Sequence, residues 1–367
     1  MKIELHLLQN FPPSCLNRDD TGQPKDCEFG GFRRARISSQ CIKSAIRKDF
    51  RASNRVPPEN LGAHTKRILA ETARILGKDG VNDVRELVEK AIRTTFNSKD
   101  KAVFAGDSDL TEYLYFVSKD AIKHFAKQLE DPKAAGAVLM NSKAIVDLAL
   151  YGRMLANAPD HRVEASCQVA HAISTNRACM EFDYFTALDD LKPEAEPQAD
   201  MIGTVGYNSS CFYRYAVIDW EQLVRNLEDD TTLACNTVEA FFHASVAAIP
   251  TGKQNTFAAH SRPGFALAVA RKSGVPLNLA NAFLRPVQPR DWGKEDERRD
   301  LLAASAEALS KHWEELEGMY GADGIVARPA CWIPKSLKLP AFDDERVESN
   351  CFNDLIKRVM VALPGGV

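Results

Sequence analysis

No run of this chain approaches the roughly 18–20 consecutive apolar residues that a membrane helix needs. Lys2, Glu4 and His6 interrupt the N-terminal apolar residues, so no secretory signal is expected there. There is no CxxC, so neither a zinc ribbon nor a thioredoxin-like redox pair is suggested. The nine cysteines are an odd number at irregular spacing and are expected to be reduced, mostly buried thiols. The eight histidines include no HExxH. Gly252-Lys253 lacks the upstream glycine spacing of a phosphate-binding P-loop. No internal repeat marks a solenoid. Adjacent carboxylates stand at Asp19-Asp20 and Asp189-Asp190, but neighbouring side chains in a turn or strand diverge and make a poor metal site. The expectation is a cytoplasmic protein with no cofactor, no metal and no membrane contact.

What is present is ordinary in amount and uneven in placement. At 367 residues, 45% hydrophobic and 26% charged, the chain can bury a large core and is expected to hold more than one compact unit. Its formal charge is −3, yet residues 1–55 hold eleven Lys/Arg against six Asp/Glu, a local +5 that leaves −8 for the rest. A mildly acidic protein that gathers cations at one end has the electrostatic outline of a polyanion binder.

Residues 2–8 alternate Ile3, Leu5 and Leu7 with Lys2, Glu4 and His6, which predicts a half-buried strand. After a polar segment carrying Arg18 and Lys25, Gly30-Gly31 precedes Arg33, Arg34 and Arg36. Ser38 and Ser39 then open a predicted helix to about Arg51. On it Gln40, Lys43 and Arg47 share one face, and Ile42, Ala45, Ile46 and Phe50 share another. A helix N-terminus with hydroxyls and a ladder of cations is a phosphate site; the alternative is a solvated basic face beside a glycine hairpin.

Val56-Pro57-Pro58 marks a boundary, and helices are predicted over His64–Leu76, Asp83–Phe96, Leu110–Leu129 and Ala134–Met154. Lys119, Lys123 and Lys127 form a stripe that is either a solvated face or a salt-sensitive contact to duplex DNA. Cys167 and His171, four apart on a possible helix, are either a thiolate–imidazole pair or two core-edge residues. Around the loop KPEAEPQAD, residues 178–210 predict an extended hairpin, followed by a strand, CFYRYAVI, at 211–218. Residues 233–249 predict an apolar helix, 252–256 a polar loop with donors for phosphate or ribose, 264–269 a strand, and Glu297–Leu316 a charged helix.

An ordered set of motifs runs through these elements: PSCLNRDD at 13–20, FGGFRRARISSQ at 29–40, YGRM at 151–154, VAHAIST at 169–175, DYFTALDDL at 183–191, CFYRYAVID at 211–219, KQNTFAAH at 253–260 and PLNLANAF at 276–283. Together they resemble the CasC family, the repeated backbone subunit of Cascade, the type I-E CRISPR surveillance complex. The resemblance is loose over about 56–150 and the last 50 or so residues.

The resemblance implies an α+β fold. An RNA-recognition-motif-like (ferredoxin-like) palm would comprise residues 1–58, 166–177 and 211–367, with helical fingers at 59–165 and a protruding β-hairpin thumb at 178–210. It implies a non-catalytic subunit that binds crRNA, repeats head-to-tail with copies of itself, meets target DNA through the guide and joins other Cascade subunits. Arg18, Lys25, Ser38, Gln40, Lys43, Arg47, Arg153, Met154, Phe185, Lys253 and Gln254 would meet RNA, and Lys119, Lys123 and Lys127 would meet DNA. Met154, by its residues alone a core side chain, would wedge against the broken stack of the guide. Phe185 matches an aromatic thumb position suited to stacking or wedging. The other reading of the chain is a guide-processing endoribonuclease on the same fold, using His6, His171 or His260 as acid or base.

Overall fold

The computed structural model describes residues 1–77, 82–96, 103–106, 108–141, 144–154, 161–188, 199–289, 300–349 and 351–365. In chain order they form β1 (Lys2–Ser14), β2 (Asp26–Phe29), β3 (Phe32–Ile37) and α1 (Ser39–Ser53). Next come β4 (Gly62–Thr65), α2 (Ile68–Ile75), α3 (Asn82–Phe96), β5 (Tyr115–Ser118), α4 (Lys119–Lys127), α5 (Pro132–Leu139) and α6 (Val146–Tyr151). The chain continues through β6 (Cys167–Val169), β7 (Ala172–Ser174), β8 (Glu181–Leu188), β9 (Ala199–Asp219), α7 (Trp220–Asn226), α8 (Thr231–Ala247) and α9 (Gln254–Phe257). It ends with β10 (Phe265–Arg271), α10 (Leu301–Tyr320), β11 (Ile325–Ala327), β12 (Ala330–Trp332) and α11 (Phe352–Val361). Two compact units result: residues 1–49, 169–217 and 241–367 form one, and residues 50–168 and 218–240 the other.

The first unit holds a sheet in the order β11-β10-β1-β9-β7-β3-β2. Within it β1, α1, β7, β9, α8 and β10 follow one another as β-α-β-β-α-β, with β10-β1-β9-β7 side by side. That is the ferredoxin-like arrangement. Leu5 and Leu7 of β1 meet Ile42 and Ile46 of α1 and Phe241 of α8 on one face. The other face is covered too: Leu8, Tyr213, Tyr215 and Val269 join Leu279, Phe283, Leu309 and Trp313 in one buried cluster. The predicted half-buried β1 is therefore buried on both sides, with Glu4, His6 and Gln9 each fully enclosed.

Those polar side chains are hydrogen-bonded, as burial requires, although His6 Nε2 and Arg271 Nη2 have no partner of their own. The Glu4 carboxylate accepts from the Tyr215 hydroxyl at 2.9 Å, the Leu277 amide at 2.7 Å and Arg271 Nε at 3.3 Å. The Tyr213 hydroxyl lies 2.9 Å from His6 Nδ1 and accepts from the Leu279 amide at 2.9 Å. Burial, then the Arg271 charge, pushes the His6 pKa down to about 3.

The second unit packs α2, α3, α4 and α5 around Leu69, Val88, Ile92, Phe125 and Leu139. Two predicted helices here begin later than their spacing suggested. Residues 62–65 and 115–118 pair as antiparallel strands β4 and β5. Ser118 then caps α4 by accepting from the Ala121 amide at 2.9 Å, so the helix starts where a capping oxygen becomes available. The helix predicted over Ala134–Met154 divides into α5, which begins beside the capping Asp131, and α6. No helix among the described residues is long and apolar enough to cross a membrane.

Candidate nucleic-acid interface

The segment before α1 is held to the helix by one asparagine. Asn17 Oδ1 accepts from the Ser38 amide at 2.8 Å, and its backbone carbonyl accepts from the Lys25 amide at 2.8 Å. The loop from Arg18 to Lys25 is thus closed beside the start of α1. Asp19 is occupied within it, accepting from the Thr21 amide and hydroxyl and the Gln23 amide. Ser38 is 7% exposed and its hydroxyl accepts from the Cys41 amide, so its geometry is that of a buried helix cap.

The cations of this region separate into two kinds. Arg33 is paired with Asp26 at 2.6 Å. Arg34 is fully buried, its guanidinium donating to the carbonyls of Ser174, Thr175 and Phe283; it holds β3 to β7 and to residue 283 rather than facing solvent. Arg18, Lys25, Arg36 and Lys253, by contrast, have no carboxylate partner among the described residues. Arg36 donates Nε only to the Asp26 carbonyl at 3.3 Å.

These four cations fall in two pairs. Arg18 and Lys253 both act on Cys15, whose thiol is pushed up by burial and pulled back by the two charges. Gly252 makes that approach possible, since a Cβ there would stand 2.4 Å from the Leu16 carbonyl and 2.7 Å from that of Cys15. Lys25 and Arg36 both act on His171, an exposed residue whose sequence readings were a thiolate partner, a core-edge residue or a base. Gln254, next to Lys253, donates to the Pro250 carbonyl at 3.1 Å, while its own Oε1 is buried without a partner.

On α1 itself Gln40 is exposed, whereas Lys43 and Arg47 are half-buried and already interact within the chain. The expected fully solvated ladder is therefore a partly engaged one.

The hairpin of β8 and β9 carries aromatics on both faces, and residues 181–186 are all exposed. Phe185 lies over Gly203, where a Cβ would be 2.4 Å from its ring, and is 37% exposed. Phe182 and Tyr184, on the opposite face, are 62% and 64% exposed and offer more open ring surface. The hairpin's base is packed: the Tyr207 ring lies tilted against that of Phe257, with centroids 5.6 Å apart.

In the second unit Arg153 and Met154 take opposite places. Arg153 is 6% exposed and donates to the carbonyls of His161, Phe116 and Met140 at 3.0, 3.1 and 2.9 Å. It is an interior staple, which corrects its assignment as an RNA contact. Met154 is 83% exposed, so it is not the core residue its type suggests. Gly152, at φ 74°, turns the chain just before them, and a Cβ there would meet the Val163 carbonyl at 2.6 Å. Lys119, Lys123 and Lys127 are exposed opposite the buried Ile122 and Phe125, with Lys123 paired to Asp120 at 2.7 Å.

Other chemistry has less support. His6 is enclosed in the core, out of reach of any RNA. Cys167 and His171 lie on and beside short strands, not on one helix, and Cys167 is buried. Among the described residues no three His, Cys, Asp or Glu come together as a metal site; Asp189-Asp190 lies outside those residues. RNA lying across the sheet, as in a bare RNA-recognition motif, is ruled out because that face is covered by residues 277–283 and α10.

The sequence profile of the CT1975-like protein family matches residues 3–358. The chain belongs to this family. Two solved structures resemble this CT1975-like protein over nearly its whole length. A chain from a "CRISPR RNA-guided surveillance complex, pre-nicking" is 26% identical with a TM-score of 0.84, covering 99% of this chain and 100% of that one. A chain from a "CRISPR RNA-guided surveillance complex" is 24% identical with a TM-score of 0.63, covering 99% of each, and shows the shared fold alone. No curated protein is significantly similar in sequence. The CT1975-like protein thus has the α+β fold of subunits in such complexes.

Proposed function

We propose that this protein is a CasC-type, non-catalytic subunit of a type I-E CRISPR surveillance complex that binds crRNA. The observation that carries the reading is the set of four cations with no carboxylate partner among the described residues, Arg18, Lys25, Arg36 and Lys253, gathered around the start of α1 in an otherwise acidic chain. The full-length likeness to a subunit of an RNA-guided complex supports it. Cations on a sugar–phosphate backbone position a strand without reading its sequence, which suits a subunit that must accept any guide. Sequence is then left to base pairing with target DNA.

Copies would join head-to-tail through heterologous contacts, which grow as an open helix that other subunits terminate. The exposed Met154 and the hairpin aromatics are the apolar groups suited to interrupting a base stack. The exposed Lys119 and Lys127 would meet target DNA electrostatically. The protein acts as a ruler and a rail, and cleavage of the target belongs to another component.

The test is a triple variant, Arg18→Glu, Lys25→Glu and Lys253→Glu, co-expressed with the guide and the other subunits. The expected result is loss of most guide RNA after purification, with unchanged circular dichroism. Guide content equal to wild type would overturn the reading.

A further inference from the structure

His171 occupies a place that the cation argument alone does not explain. Strand β7 begins one residue later, and its pairing of Ala172 with Ile37 brings the ring to the first turn of α1. There the Ser39 amide donates to His171 Nδ1 at 2.9 Å. The first amides of a helix lack partners of their own, and the imidazole supplies one. This contact fixes the tautomer: Nδ1 accepts, so the proton of the neutral ring sits on Nε2. Partial burial, then the charges of Arg36 and Lys25, hold the pKa below its ordinary 6.5, so the ring is neutral at physiological pH. No other hydrogen bond engages the exposed ring among the described residues.

The arrangement is a neutral N–H donor close to two cations. A nucleic-acid backbone held by those cations presents a neutral sugar beside its phosphates. In RNA that sugar carries a 2′-hydroxyl, the group that lets a protein tell RNA from DNA. A third cation at this point would grip both backbones equally.

We propose that His171 discriminates RNA from DNA, its Nε2–H donating to a ribose 2′-hydroxyl on a strand whose neighbouring phosphates are held by Lys25 and Arg36. The inference rests on the RNA-binding reading above. Two rival roles are distinguishable from it. A residue that only caps α1, or one that meets phosphate, affects RNA and DNA alike.

The experiment measures binding of a short RNA and of the 2′-deoxy oligonucleotide of the same sequence by fluorescence anisotropy at one salt concentration. Wild type, His171→Ala, His171→Gln and Lys25→Ala are compared. Wild type is expected to prefer RNA. His171→Ala should lower that preference by about fivefold per site, the worth of one neutral hydrogen bond, and His171→Gln should keep part of it. Lys25→Ala should weaken both ligands and leave their ratio unchanged. A ratio unaltered in both His171 variants, whatever the absolute affinities, overturns the proposal, as does a wild type with no preference. A wild type that binds neither oligonucleotide overturns the RNA-binding reading itself.

Discussion

Arg153 and Met154 are adjacent, yet substitutions at them should have opposite consequences. Removing the Arg153 guanidinium takes away a buried donor to three carbonyls. Each unsatisfied group costs about 1–3 kcal/mol, so Arg153→Ala should lower stability by several kcal/mol in urea titration. Met154→Ala removes an 83% exposed side chain and should leave stability within about 0.5 kcal/mol of wild type. On the proposed function it should instead weaken the periodic nuclease protection of bound guide. A sequence records that a residue is charged, not where its charge is spent. FRRARI and YGRM therefore did not reveal that Arg34 and Arg153 face inward. The helix contact of His171 was not legible, because its real neighbour, Ser39, lies 132 positions away.

His6 carries a prediction in pH. Unfolded, it titrates near 6.5; folded, at about 3. Between those values the unfolded chain binds a proton that the native core refuses. The stability tied to His6 is complete above pH 6.5 and is lost as pH falls, by about 1.4 kcal/mol per pH unit. His6→Gln removes that dependence. Between pH 6.5 and 4 its stability curve should be flatter than that of wild type by this slope, measured by chemical denaturation at each pH.

At the scale of elements, the loop before α9 is set by close backbone approach more than by charge. Gly252→Ala would force a methyl group onto the carbonyls of Leu16 and Cys15, which cannot yield as a flexible side chain would. Overpacking of this kind costs about 1–3 kcal/mol. It should also displace Lys253 from Arg18 and reduce guide retention, although no cation is removed; RNA content of the purified variant checks this. Helix α1 was legible almost to its ends, because serines open it and one apolar face runs its length. Strand β5 was not, since Tyr115-Phe116-Val117 fits a helical stripe as readily as a buried strand. The hairpin and the CFYRYAVI strand were expected as separate runs; the second arm of the hairpin and that strand are instead one continuous strand, β9.

For the whole molecule, charge separation makes a quantitative statement. Four cations meeting a single strand should give a log–log salt dependence of affinity near −2.8 per copy, about 0.7 for each phosphate neutralised. Replacing Lys253 by Gln should reduce the magnitude of that slope by about 0.7, read from anisotropy titrations at several salt concentrations. Most of the β-α-β-β-α-β order could be traced from strand and helix signals along the chain, but not β7, which is three residues long and follows a stretch that was read as a possible helix. The covering of its open face could not, because the residues that do it, near Leu279 and Trp313, lie hundreds of positions from β1.

The uninterrupted course of β9 has a mechanical meaning. Its 21 residues run from the exposed hairpin into the sheet interior without a joint, a length of about 70 Å at ~3.3 Å per residue. Such a strand behaves as a cantilever anchored beside β1. Load applied at its free end bends the beam and arrives as shear on the ladder that clamps it, so whatever seats the tip also tensions the root.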